Sequence, residues 1–324
     1  MSAWRDRWDA ALGALERESQ PDARLAAAQE LREMAHESEV APSELIAALV
    51  YVLENGRDWV RRLGVQMIAG LLEPEEAEGL LAGRLSDGSE LVRVQAAGLL
   101  ADFDLPSSRE ALKPALSDPA FQVRFEAARG LATAGDGAGL DTLIDGLENE
   151  HLRFRALGAI VELGDVRALP PVQELFRQPL LPAYEQAQAA GAMAKLGDPE
   201  GAAYLIERTQ KHWGLDRAFA IELCGEVKAE GAYARLMEIM DDRLDPCRGA
   251  AARGLGRLGD AQALQALAAI VENAEEPDEL RLDAAEGACL LDPSAGRALV
   301  RAASESLSSD EAREEAQKLL EDLK

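Results

Sequence analysis

Apolar residues recur along this chain in helical register. In Pro119–Asp136, Val123, Ala127, Ala128 and Leu131 fall four, one and three residues apart, which lines one face of a helix. Just upstream, Leu112 and Leu116 lie four apart on a second helical pattern. No segment alternates apolar and polar residues as a half-buried strand would. The same grammar, an apolar residue, Arg, two variable positions and Ala-Ala, returns at Val92-Arg93 with Ala96-Ala97, Cys247-Arg248 with Ala251-Ala252, Leu280-Arg281 with Ala284-Ala285 and Ala23-Arg24 with Ala27-Ala28. The Arg position is filled by Arg24, Arg61, Arg93, Arg124, Arg153, Arg217, Arg248, Arg281 and Arg313. The gap between Arg153 and Arg217 is two repeats long, and Gln186 stands near its midpoint. Self-similarity at such a period marks a stacked repeat architecture. The pattern predicts an all-α chain of ten units of about 32 residues, each a pair of helices.

Local chemistry places the helix ends. Ser107-x-x-Glu110 reads as a capping box opening a first helix over Ser107–Leu116, whose last turn Pro114 bends or shortens. Asp118 is placed to cap the following second helix, with Pro119 in its first turn. Gly135, Gly164, Gly197 and Gly259, each followed by Asp, close helices in the left-handed conformation that glycine adopts most easily. The sixth unit is irregular, with Pro170-Pro171, Pro179 and Pro182, and the seventh carries TQKHWGLDRAF instead of a tight turn. A change of curvature is expected over about residues 168–214. Capping repeats are expected at 1–38, where Trp4, Trp8, Leu12 and Leu15 cover the open end of the core or form a partner-binding stripe, and at 294–324, which is polar on its outer side.

The Val-Arg-x-x-Ala-Ala motif with Gly-Asp punctuation runs over essentially all of residues 2–322 and resembles the HEAT-repeat α-solenoid family. The likeness is to its short form of ~30 residues, also found in phycobilin lyase subunits. The resemblance implies one right-handed superhelix over 1–324 of about ten helix pairs, first helices on the convex face and second helices on the concave face. It implies a recurrent Arg set between neighbouring repeats and bonded to acids or carbonyls. It says almost nothing about function.

Composition narrows the classes. Against 34 Lys+Arg stand 59 Asp+Glu, a net charge of −25, which repels phosphate and weighs against nucleic acid and anionic membranes. No run of 18 apolar residues predicts a membrane span, and the N-terminal stretch has neither signal nor transit character. Three unpatterned cysteines, Cys224, Cys247 and Cys289, fit reduced thiols and a cytoplasmic setting. Usage rich in Ala, Arg, Leu and Gly suggests a high-GC bacterium.

No catalytic, cofactor-binding or metal-ligating set emerges. His36, His151 and His212 lie in the first, fifth and seventh units, too far apart to share an ion. The His-Glu pairs of diiron hydroxylases built on HEAT scaffolds are represented only by His36-Glu37, at a helix end. Gly254-x-Gly256-x-x-Gly259 has dinucleotide-loop spacing but ends a repeat helix instead of following a strand, so it reads as packing and capping.

Charge divides unevenly between the helix sets. In units two to five the first-helix halves total −11 and the second-helix halves +2. That inner balance is far too small for a DNA glycosylase of the HEAT-like kind. Aromatic and basic residues on the second helices form the candidate partner-binding surface: Trp59, Arg62, Val94, Phe125, Arg129, Phe154, Arg155, Tyr184, Trp213 and Phe219. The leading expectation is a non-enzymatic scaffold or adaptor, monomeric or weakly self-associating, that binds a protein segment on its concave face. The alternative is a phycobilin-lyase-like or chaperone subunit acting on a tetrapyrrole-bearing or other client protein.

Overall fold

The computed structural model describes residues 3–18, 20–36, 41–210 and 215–322. Among these, all regular structure is helical. Two compact units are present, residues 1–149 and 150–324. The first holds α1 (Ala3–Arg17), α2 (Pro21–Ala35), α3 (Pro42–Asn55), α4 (Asp58–Leu71), α5 (Pro74–Ala82), α6 (Glu90–Phe103), α7 (Pro106–Ala115), α8 (Phe121–Ala132) and α9 (Leu140–Gly146). The second holds α10 (Arg153–Leu163), α11 (Leu169–Phe176), α12 (Ala183–Lys195), α13 (Pro199–Thr209), α14 (Leu215–Glu226) and α15 (Ala232–Asp241). It continues with α16 (Arg248–Leu258), α17 (Ala263–Glu272), α18 (Asp278–Leu291), α19 (Pro293–Ser304) and α20 (Asp310–Asp322). The twenty described helices fall into the ten pairs that the period predicts. α11, opened by Leu169-Pro170-Pro171, is only eight residues long.

In the first unit, Leu49, Ile68, Leu81, Leu100, Leu112 and Leu131 form a continuous core that is closed to water. The tryptophans lie inside its first pair. Trp4 and Trp8 stack at 5.0 Å, and the Trp4 indole donates to the Met34 carbonyl at 3.0 Å. The second unit repeats the arrangement around Ile160, Met193, Ile221, Leu236, Leu255 and Leu267. Its second helices approach closely through glycine: a Cβ at Gly225 would strike the Gly254 backbone, and one at Gly256 the Gly287 backbone. Gly254 and Gly256 are therefore packing residues, and Gly259, with φ at +78°, ends α16.

The Gly-Asp pairs do two jobs. Gly135, Gly164, Gly197 and Gly259 take positive φ. The following Asp136, Asp165, Asp198 and Asp260 accept the N–H two residues on, starting the next turn. The expected capping box is absent: α7 begins at Pro106, one residue early, and Ser107 instead donates to Glu78 at 2.7 Å. A carboxylate from the neighbouring pair competes for the hydroxyl and wins.

Candidate functional site

The recurrent arginines and their carboxylate partners supply five of the seven buried charged side chains among the described residues. Arg61 reaches Asp87 with two bonds at 2.8 and 2.6 Å, Arg93 reaches Asp118 at 2.8 and 3.0 Å, and Arg217 reaches Asp245 at 2.7 and 2.6 Å. Each also donates to a main-chain carbonyl: Gly56, Asp87 and Thr209 respectively. The acceptors are shared, because Asp87, Asp118 and Asp245 also take the N–H of Ser89, Ala120 and Cys247 and so shape the loop before a second helix. One aspartate thereby fixes a turn and fastens the preceding repeat. Arg248 pairs with Glu276, Arg153 with Glu185, and Arg281 with Val271 and Ser306. In the irregular unit Gln186 donates to the Phe176 carbonyl and accepts from Tyr204. These side chains are spent on holding repeats together and are not free for chemistry.

The candidate surface residues divide sharply. Phe125 is fully buried, stacked on Phe121 at 6.3 Å, and offers nothing to a partner. Arg129, one helical turn on, is engaged by Asp102 at 2.7 Å, Glu126 at 3.1 Å and the Gly98 carbonyl at 3.1 Å. Phe154 has the same register in α10 and is 61% exposed. Four residues on, the first helix carries Arg129 and the second Gly158, an exposed glycine with open space around it. Trp59 is half-buried beneath Arg24, whose guanidinium sits 4.9 Å from the ring centre. Arg62 is exposed and donates to Gln95 at 3.1 Å, and Val94 is half-buried against the first unit's core. Arg155 is exposed. Tyr184 is exposed too, and its hydroxyl donates to Glu185 at 2.9 Å. Trp213 lies outside the described residues.

Phe154 and Phe219 are brought together. They wall a cavity of about 200 Å³ between α10, α12 and α14, floored by Gly158, Gly191 and Ala192. Leu223 and Val227 close it on the α14 side, and Lys195 and Glu226 face each other at 3.8 Å on its edge. The floor residues Gly158 and Gly191 stand five places after the motif position in consecutive units. In the next two units that position carries Glu222 and Arg253, bonded to each other at 2.7 Å. There the same face becomes an ion network, with Arg257 on Glu222 and Arg253 on Asp283. Burial raises the Glu222 carboxyl, but hydrogen bonds from Arg253 and Arg257 outweigh it and hold the group below its usual range. At Asp283 burial wins and the carboxyl is pushed up despite Arg253.

Reactive groups are scarce. Burial pushes the Cys224 thiol up to about 12, and Cys247 and Cys289 shift in the same direction for the same reason, which makes all three poor nucleophiles. Among the described residues no group of three or more His, Cys, Asp or Glu could hold a metal. No described helix is long and apolar enough to cross a membrane.

A family model of HEAT repeats matches residues 77–150, 110–186 and 212–289. The chain belongs to the HEAT-repeat family. Among solved structures, similar chains include human deoxyhypusine hydroxylase in complex with glycerol, at 18% identity over 90% of this chain and 97% of that one, with a TM-score of 0.32. The complex of CpcE and CpcF of phycocyanin lyase from a Nostoc species matches at 20% identity over 98% and 94%, with a TM-score of 0.35. A homology model of the full-length AP-3 complex matches at 12% over 99% and 69%, with a TM-score of 0.49. At such scores these likenesses carry no activity over to this chain. Among curated proteins, none matches. In this HEAT-repeat protein the position five places after the motif residue is glycine at Gly98, Gly158 and Gly191, and the last two floor the groove.

Proposed function

We propose that this HEAT-repeat protein is a non-enzymatic interaction scaffold, and that the groove between α10, α12 and α14 takes apolar side chains from a segment of a protein partner. The observation that carries the reading is the exposed Phe154 ring standing beside Phe219 over a floor of glycine and alanine. Apolar surface rimmed by polar groups marks interaction sites, and aromatic residues are frequent anchors in them. A volume of about 200 Å³ lies below the roughly 300–1,000 Å³ of cavities that enclose small ligands and cofactors. The space therefore suits an anchoring side chain better than a tetrapyrrole.

The test is a selection of helical peptides displayed against the whole protein, followed by titration of the winners with wild type, Phe154→Asp and Gly158→Gln. Both substitutions are at exposed positions and leave the core intact. Loss of an interface anchor costs about 2 kcal/mol or more, so affinity should fall about thirtyfold. Peptides that bind all three proteins equally would remove the groove from consideration.

A further inference from the structure

Of the three asparagines in the chain, only Asn55 is followed by glycine. Asn55 ends α3 at the surface, and Gly56 behind it is buried. Such a pair is chemically labile. With no Cβ in the way, the glycine nitrogen can reach the asparagine carboxamide and displace its ammonia. Packing nonetheless requires glycine here: a Cβ at Gly56 would stand 2.7 Å from the Val52 carbonyl oxygen and 3.0 Å from Val60 Cγ1. Both ends of Gly56 are tied. Its N–H donates to the Val52 carbonyl at 3.0 Å, and its own carbonyl accepts from Arg61 at 2.8 Å. The Asn55 Nδ2 group donates to the Tyr51 carbonyl at 3.1 Å.

We propose that Asn55 is a site of spontaneous deamidation, held dormant by the closed end of α3, and that Arg61 is the positioning residue that keeps that end closed. In the reaction the Gly56 nitrogen gives its proton to a solvent base and bonds to Asn55 Cγ. The Cγ–Nδ2 bond breaks, the amide nitrogen takes a proton from water and leaves as ammonia, and a five-membered succinimide remains. Water then adds at one of the two ring carbonyls and breaks its bond to nitrogen, leaving aspartate or isoaspartate. Attack requires Asn55 to leave the helical backbone angles and Gly56 to give up its bond to Val52. Arg61 resists this movement, because its guanidinium holds the Gly56 carbonyl while gripping Asp87 at 2.8 and 2.6 Å. Once made, the product works against reclosure. The new carboxylate stands at the negative end of α3 and on the wall of a cavity shared with Asp9 and Glu16, where Arg5 is already bonded to Asp9 at 3.3 Å.

The experiment incubates the full-length wild type, Arg61→Met and Arg217→Met in warm, mildly alkaline buffer, with wild type unfolded in urea alongside. Mass spectrometry follows the peptide that carries Asn55 through the mass gained when the amide becomes an acid. Arg217 makes the same kind of link in the second unit, to Asp245 and the Thr209 carbonyl, and so reports the effect of losing such a link elsewhere. The expected result is rapid conversion in urea and slow conversion in the folded wild type and in Arg217→Met. Conversion in Arg61→Met should be about tenfold faster than in the wild type, the loss of one hydrogen bond from a charged donor. Equal rates for folded and urea-unfolded wild type would overturn protection by the fold, a comparison that needs no variant to fold. Equal acceleration in both variants would trace the effect to general unfolding and overturn the role of Arg61, as would no acceleration in Arg61→Met. An unconverted Asn55 in urea would overturn the site itself.

Discussion

Glu276 accepts two hydrogen bonds from Arg248, at 2.6 and 2.9 Å, while Arg248 also donates to the Met240 carbonyl at 2.7 Å. Both side chains are buried, so removing one partner strands the other's charge. Arg248→Met is expected to lower unfolding free energy by about 3–5 kcal/mol, and the double change Arg248→Met with Glu276→Leu by clearly less, both read from urea midpoints. The hydrogen bond from Arg248 holds the Glu276 carboxyl below its usual range, and the bond from Arg93 does the same for Asp118. A folded value below the unfolded one contributes stability that is complete above the ordinary carboxylate range of about 4 and is lost as pH falls through the folded value. Stepwise urea unfolding from pH 6 downward should therefore show a shallower acid loss for Glu276→Gln than for the wild type. An unchanged slope would mean that this pair does not drive acid unfolding. The arginine positions were legible because the motif repeats; their partners were not, since Asp87 and Asp245 lie about a repeat away and look like ordinary surface acids, and Asp118 reads only as a local cap.

Within a helix, two glycines of the same residue type have opposite meanings. Gly256 in α16 faces the Gly287 backbone of α18, and a Cβ there would force the helices apart. Gly158 in the middle of α10 faces nothing. Gly256→Ala is expected to destabilise by about 1–3 kcal/mol through overpacking. Gly158→Ala should stabilise by roughly 0.5–1 kcal/mol, because alanine holds a helix better and meets no neighbour. Chemical denaturation of the two variants side by side decides it, and a stabilised Gly256→Ala would contradict the close approach of α16 and α18. Gly158 thus keeps a helix weaker than it needs to be, and the open groove is the return. The Gly-Asp helix ends were readable in advance because left-handed glycine and the aspartate turn are local. The capping box at Ser107 was misread because a carboxylate on another element took its hydroxyl.

For the whole molecule, net charge bears on the partners it repels. At −25 the chain repels polyanions, and its basic groups are largely occupied by its own carboxylates. No retention on duplex DNA is expected even at low salt, as read by electrophoretic mobility; salt-sensitive binding would show a basic surface that the pairing pattern does not provide. Membership of the HEAT-repeat family agrees with a scaffold.

What the sequence determined by itself was the repeat: all-helical, ten pairs, with glycine ends and an arginine in each joint or a glutamine in its place. Those features follow from spacing along one helix and from the conformational preference of single residues, and neither needs a neighbour. Which ring is exposed was decided only in three dimensions. Phe125 and Phe154 hold the same place in the motif, yet one is fully buried and stacked on Phe121 while the other is 61% exposed on the wall of the groove. Exposure is set by what occupies the next turn and the adjoining helix, and a repeat that fixes the backbone leaves those positions to vary.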